Sequence, residues 1–392
     1  MTPTQFLEVI VSVSLQATLV VAATHWTGRL TENERTRCRL WTLSYMLLMV
    51  LVVNAAVMPH VRLLPPMRPL TRPLAAEIVA IELQLGRILF WAWLVGGVAS
   101  LGLLIYRSIQ AEKFLRTCRA VDPDVISLAT VLGDSSNEGT LQIDRRTVRL
   151  VSTTAVTSPF CWQFHQPYIV IPDRLLTFDQ EDLKFILRHE LSHLRTGHPL
   201  QVFLQRAIEI VFWFHPMVWW ASREWSLARE FQCDDEAVES RSDIVRYLKM
   251  LLTIVEQTPR DHQSAATLAF IRNRCELAER ARRLVRIAQH DDRREIEHLP
   301  QRRMAILTAS LITTAIVSIS FVWLPVNVLA SPAARWSPWP AWTAHVLHDF
   351  GVQTRDFELY DHRYALHELF DDGTVHTTSQ PSLTSSPATR SE

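Results

Sequence analysis

The sequence predicts an α+β membrane protein: about four transmembrane helices, with a mainly helical domain that includes a small sheet inserted between the third and the fourth. Three observations point to it. Four apolar runs are each long enough to cross a bilayer, which takes roughly 20 apolar residues in a helix. The long stretch between the third and fourth runs opens on alternating, β-branched segments and then turns to helical periodicity. Several of the 13 tryptophans stand near the ends of the runs, where indole favours the membrane interface.

The first run, FLEVIVSVSLQATLVVAAT, covers about 6–24. A cleaved signal peptide is the alternative, but Glu8 stands where a basic segment is expected and no small-residue cleavage site follows. The second covers about 40–58 and the third about 88–106, where Gly96, Gly97 and Gly102 can permit close helix contact. The fourth, about 304–324, ends at Pro325. The lipid bilayer is therefore the first expected partner.

Basic residues orient these spans. Arg29, Arg35, Arg37 and Arg39 follow span one; Arg107, Lys113, Arg116 and Arg119 follow span three; Arg293, Arg302 and Arg303 precede span four. This favours a multi-pass protein of the cell membrane (inner or plasma) with its N-terminus outside and its first and third loops in the cytoplasm. The second loop carries Arg62, Arg68, Arg72 and Arg87, which runs against that assignment. The expected organisation is a membrane domain over 1–106, a cytoplasmic domain over 107–303, the fourth span over 304–324, and a short extracytoplasmic tail over 325–392 whose end, SQPSLTSSPATRSE, has a disordered composition.

Acidic and basic residues balance at 40 each, so direct nucleic-acid binding is not expected. Cys38, Cys118, Cys161, Cys233 and Cys275 form no CxxC pair, which argues against a disulfide framework or a thiolate metal site. Four of them fall on the cytoplasmic side of this topology, in keeping with a reducing compartment.

The chemistry concentrates in EDLKFILRHELSHLRTGH. Phe185, Ile186, Leu187, Leu191 and Leu194 supply an apolar helical stripe, and Gly197 a terminator. His189 and His193, four apart, lie on one face and can present two imidazoles to one ion. Glu190 sits beside them, placed to take a proton from water without ligating the ion. A bare HExxH also arises by chance, as two surface histidines and a salt-bridged glutamate. The apolar flanks oppose that reading, because buried histidines need partners.

A hydrolytic zinc takes three protein ligands and leaves a position for water. The third is expected from SREWSLAREFQCDDEAVESR, where Glu230 and Asp234 share a face. Glu230 would ligate, and Asp234 would accept the other ring N–H of a ligand histidine. The alternative for this stretch is a charged, solvated helix. His198, His215 and Glu224 are the other candidates for third ligand: His198 one turn and a bend past His193, His215 in an aromatic segment before Pro216, Glu224 on a different face from Asp234.

HELSHLRTGHP, followed by FWFHPMVWWASREWSLAREFQCDDEAV, resembles the BlaR/MecR-type membrane metallopeptidases, the antirepressor family with a gluzincin-like HExxH…ExxCD pattern. The likeness extends to TSPFCWQFHQPYIVIPDRLL upstream and CELAERARRLVRIA downstream, and so covers roughly 155–289 together with the arrangement of spans. It implies a zincin-type metalloprotease domain, one Zn²⁺ per chain, Glu230 as third ligand and Glu190 as catalytic base. It also implies that Tyr168, Ile169, Val170 and Ile171 form an edge strand that holds substrate backbone; the alternative is an ordinary core strand. Members that sense β-lactams carry a penicillin-binding-like domain after the last span. Only about sixty residues follow here, without an SxxK motif, so an acylated antibiotic receptor is not expected.

The function expected is that of a membrane-embedded zinc metalloendopeptidase in transmembrane signalling. It would cleave a protein or peptide substrate such as a cytoplasmic repressor, or itself, and a homodimer is allowed for. Three rivals stand beside it: a non-catalytic membrane signal transducer that keeps the zincin scaffold, a structural membrane protein in which HELSH is incidental, and a protease of membrane-associated or prenylated peptides.

Overall fold

The computed structural model describes residues 2–31, 33–58, 71–121, 136–137, 140–143, 146–163, 166–238, 240–256 and 264–289, with scattered positions between 307 and 351. Among the described residues, three helices are long and apolar enough to cross a membrane: α1 (Pro3–Arg29), α2 (Glu34–Val57) and α3 (Arg72–Thr117). Thr2 opens α1 in a capping box with Gln5. The Asn33 side chain caps α2 by accepting from the backbone N–H groups of Arg35 and Thr36.

These helices differ from the expected spans in a way that matters for the site. The link between α1 and α2 is only a few residues, so Arg35, Arg37 and Arg39 lie inside α2. Helix α3 is 46 residues long, far more than a bilayer needs, and takes in Arg72 and Arg87 at one end and Lys113 and Arg116 at the other. Gly96 admits the indole of Trp213 rather than another helix: a Cβ there would fall 2.2 Å from that ring. Of the fourth expected span, 304–324, only scattered positions are described; Ala315 among them packs into the core of α1 and α2. The tail over 325–392 lies almost wholly outside the described residues.

Beyond α3 comes a four-stranded sheet of β1 (Arg119–Ala120), β5 (Arg149–Thr153), β6 (Phe160–Gln163) and β7 (Pro167–Pro172), in the order β1-β5-β7-β6. The short strands β2 (Ser136–Asn137), β3 (Thr140–Ile143) and β4 (Arg146–Thr147) form a separate meander. Strand β7 runs parallel to β5, with Val151 opposite Val170, and antiparallel to β6, with Cys161 opposite Ile169. The edge-strand expectation for Tyr168, Ile169, Val170 and Ile171 is therefore corrected. β7 is paired on both sides, and Ile169, Val170 and Ile171 are fully buried. The chain folds back through β6, which takes the outer position.

After a 3₁₀ turn at Asp173–Thr177 come α4 (Gln180–Arg195), α5 (His198–Val211), α6 (Pro216–Ala237), α7 (Arg241–Glu256) and α8 (Ser264–Gln289). Asp179 caps α4, and Glu181 and Asp182 in its first turn complement the helix dipole. Gly197, at φ 69°, adopts the left-handed conformation that lets α5 start directly after α4.

Two cores result. One joins Val13, Ala17 and Val20 of α1 to Trp41, Tyr45 and Leu48 of α2 and to Val218, Ala221 and Trp225 of α6. Apolar burial drives little association within lipid, so packing and hydrogen bonds carry it. Tyr45 supplies both: its ring lies 4.4 Å from that of Trp225, and its hydroxyl is 2.6 Å from Ser222 Oγ. The other core sets Ile169 and Ile171 of the sheet against Phe185, Leu187 and Leu191 of α4, Tyr247 and Met250 of α7, and Leu284 of α8. Helix α6 belongs to both, since Ala237 at its end reaches the second.

Candidate metal centre

The apolar stripe of α4 faces the second core, which turns His189 and His193 toward α6. Their Nε2 atoms stand 3.2 Å apart. Glu230 brings one carboxylate oxygen within 3.5 Å of each: Oε2 to His189 and Oε1 to His193. Two imidazoles and a carboxylate thus converge as a group that could hold a metal ion. Their spacing fits one. Ligands at about 2.0–2.1 Å from a tetrahedral zinc lie about 3.3 Å from one another, and nitrogen and carboxylate donors suit that ion.

The other candidates for third ligand go elsewhere. Glu224 pairs with Arg37 of α2 at 3.2 Å. His215 lies against α1, with Nε2 3.1 Å from the Ser14 carbonyl. His198 meets His193 on the far side of its ring, Nδ1 to Nδ1 at 2.8 Å.

Asp234, with no exposed surface, stands one turn beyond Glu230 and faces Nδ1 of His189 at 3.3 Å. Two residues missed in the sequence complete this corner. Tyr247 of α7 donates its hydroxyl to Asp234 at 2.7 Å and lies 3.1 Å from His189 Nδ1. Arg280 of α8 forks onto both Asp234 oxygens, at 2.9 and 2.5 Å, and reaches Glu230 Oε2 at 3.1 Å. The only signal for Arg280 was its place in CELAERARRLVRIA; nothing marked Tyr247.

The electrostatics follow from this enclosure. Burial pushes the Glu190 carboxyl up to about 7, against the pull of His189. Burial lowers His193 to about 4, so it stays neutral, as a ligand histidine must. In His189 burial works the same way, but hydrogen bonds to Asp234 and Glu230 outweigh it and hold the ring at about 9, so an ion bound at its Nε2 would have to displace a proton. Burial opposes charge on Asp234 too, yet the Arg280 guanidinium keeps its carboxyl well below the ordinary range.

The site lies beside β6. Burial raises the Cys161 thiol of that strand, and the charges of Glu190 and Glu230 raise it further. On another side the α2 terminus closes in. Arg35 bonds Glu236 at 2.9 Å, and Glu236 in turn accepts from Ser192 Oγ of α4 at 2.7 Å.

A family model described as BlaR1 peptidase M56 matches residues 15–284, from within α1 into α8. The chain is also similar to the regulatory protein BlaR1 of Bacillus licheniformis, 25% identical over 181 residues. That match takes in 46% of this chain and 29% of the relative, so the chain spans under a third of the relative's length.

Proposed function

The chain belongs to the BlaR1 peptidase M56 family, a family of metallopeptidases, and on that premise we propose that it is a membrane-embedded zinc metalloendopeptidase with His189, His193 and Glu230 as ligands and Glu190 as general base. The observation that carries this reading is the convergence of the two Nε2 atoms and both Glu230 oxygens within 3.2–3.5 Å, next to a buried carboxyl. Zinc, when bound, supplies Lewis acidity that polarises a carbonyl and acidifies water. The chain's own groups do the rest. Glu190, its carboxyl held near neutrality, accepts a proton from the attacking water and delivers it to the leaving amine. Asp234 orients His189, and Tyr247 and Arg280 hold Asp234.

Of the two outer strands, β1 and β6, it is β6 that lies beside Glu190 and Glu230 and is available to pair with an extended peptide. The substrate we propose is a cytoplasmic regulator such as a transcriptional repressor, or the chain itself. The regulatory role named for the Bacillus licheniformis relative supports this. The ion pairs Arg35–Glu236 and Arg37–Glu224 tie the arginine-rich start of α2 to α6, the helix of Glu230, which supports a metal centre on the cytoplasmic side.

Glu190→Gln is the test. The variant is expected to bind zinc as the wild type does and to lose peptidase and self-cleavage activity by a factor of at least ~10². Activity that survives the substitution sinks the mechanism. Zinc binding without cleavage in the wild type would favour a non-catalytic transducer built on the same scaffold.

A further inference from the structure

His193 has two ring nitrogens, and only Nε2 turns toward His189 and Glu230. Nδ1 faces the opposite way, 2.8 Å from Nδ1 of His198. His193, His198 and Cys233 also stand close enough together to hold an ion, but the 2.8 Å separation favours a hydrogen bond between the two rings. Two nitrogens on one tetrahedral zinc lie about 3.3 Å apart, which the Nε2 pair of His189 and His193 satisfies and this pair does not; 2.8 Å is a hydrogen bond. If the Nε2 lone pair of His193 serves a metal, its ring proton must sit on Nδ1. His193 then donates, and His198 accepts.

The acceptor ring is also held at its other nitrogen. With Nδ1 accepting, the His198 proton sits on Nε2, which faces Cys38 Sγ of α2 at 3.8 Å. Cys233 Sγ of α6 lies 3.5 Å from His198 Nδ1. His198, Cys38 and Cys233 are all buried, so water does not compete for these contacts.

We propose that His198 is the positioning residue for His193: it accepts the Nδ1 proton, fixes the tautomer that leaves Nε2 for the metal, and is itself seated by a thiol of the membrane helix α2. Asp234 plays the matching part for His189, so each ligand histidine has its own acceptor. The proposal rests on the metal-centre reading above and extends it to a residue that makes no contact with the reacting atoms.

The test uses the full chain purified in detergent, stripped with a chelator and reloaded with Zn²⁺ or Co²⁺. His198→Leu is expected to weaken zinc 10–100-fold, the usual cost of losing a partner of a ligand histidine, in competition with a chromophoric chelator. It is also expected to shift the visible bands of the Co²⁺ form. His198→Asn, whose amide oxygen can still accept, should recover most of the affinity and the wild-type spectrum. Long-range ¹H–¹⁵N spectra of the histidine-labelled, zinc-loaded wild type need no variant; they should place the His193 proton on Nδ1. Wild-type chain that binds no zinc removes the metal centre itself, and the proposal with it. Wild type that binds zinc while His198→Leu binds it equally, with an unchanged Co²⁺ spectrum, overturns the positioning role alone. A second Co²⁺ per chain with sulfur-to-metal charge transfer also overturns it, since His198 and Cys233 would then be ligands.

Discussion

Arg280 Nη1 lies 3.1 Å from Glu230 Oε2, so a guanidinium from α8 grips a carboxylate from α6 that also faces two histidines. The same guanidinium forks onto Asp234, which is wholly buried. Removing it strands a buried negative charge. Arg280→Met is expected to destabilise the fold by about 3–5 kcal/mol and to weaken zinc ~10-fold or more, as read by denaturant unfolding in detergent and by chelator competition. Arg280→Lys keeps the charge but loses the fork and should fall between.

Tyr247→Phe is the milder cut at the same corner. It deletes one hydroxyl that donates to Asp234 and leaves the Arg280 fork in place. A hydrogen bond to a charged group contributes about 1.5–3 kcal/mol, and the loss of unfolding free energy should fall in that range. Equal losses for Tyr247→Phe and Arg280→Met would show that Asp234 does not depend on the ion pair.

Metal and fold should be linked. An ion that binds only the folded chain stabilises it by about 2.7 kcal/mol at a hundred times its Kd. Adding zinc to stripped protein is expected to raise its melting temperature, and EDTA to reverse the rise. His193→Ala should melt at the same temperature with and without zinc. A zinc-dependent rise that persists in His193→Ala would place the ion elsewhere.

Far from the metal, Gly96→Ala tests the seam between α3 and the segment before α6. The new methyl would meet the Trp213 ring at 2.2 Å, and that ring is pinned by its N–H bond to the Trp93 carbonyl. Overpacking of this kind costs about 1–3 kcal/mol, visible as a lower melting temperature with zinc affinity unchanged. A melting temperature equal to wild type would mean the indole moves aside.

What the sequence made legible was whatever a single helix encodes. The apolar runs at 6–24 and 40–58 became parts of α1 and α2, and the stripe from Phe185 to Leu194 became the buried face of α4. Four-residue spacing put Glu230 and Asp234 on one face, and the structure sets both against His189. What stayed hidden depends on how separate segments assemble. Tyr247 and Arg280 reach Asp234 from α7 and α8, and no local pattern records that meeting. Strand order is hidden for the same reason: PYIVIP reads alike at an edge or inside a sheet, and only the return of β6 puts β7 inside. His198 reads in the sequence as lying one turn and a bend past His193; in the structure it begins the next helix, because Gly197 turns the chain so tightly.

Helix α6 begins among the apolar helices, where Val218 and Trp225 pack, and ends with Glu230 and Asp234 at the histidines. Its 22 residues make one continuous rod about 33 Å long at 1.5 Å per residue. A rod cannot shift at one end and stay still at the other. The helix thus links the packing around Trp225 to a carboxylate whose two oxygens each face a histidine 3.5 Å away. One continuous stretch of backbone therefore reaches from the apolar core to the candidate ligands.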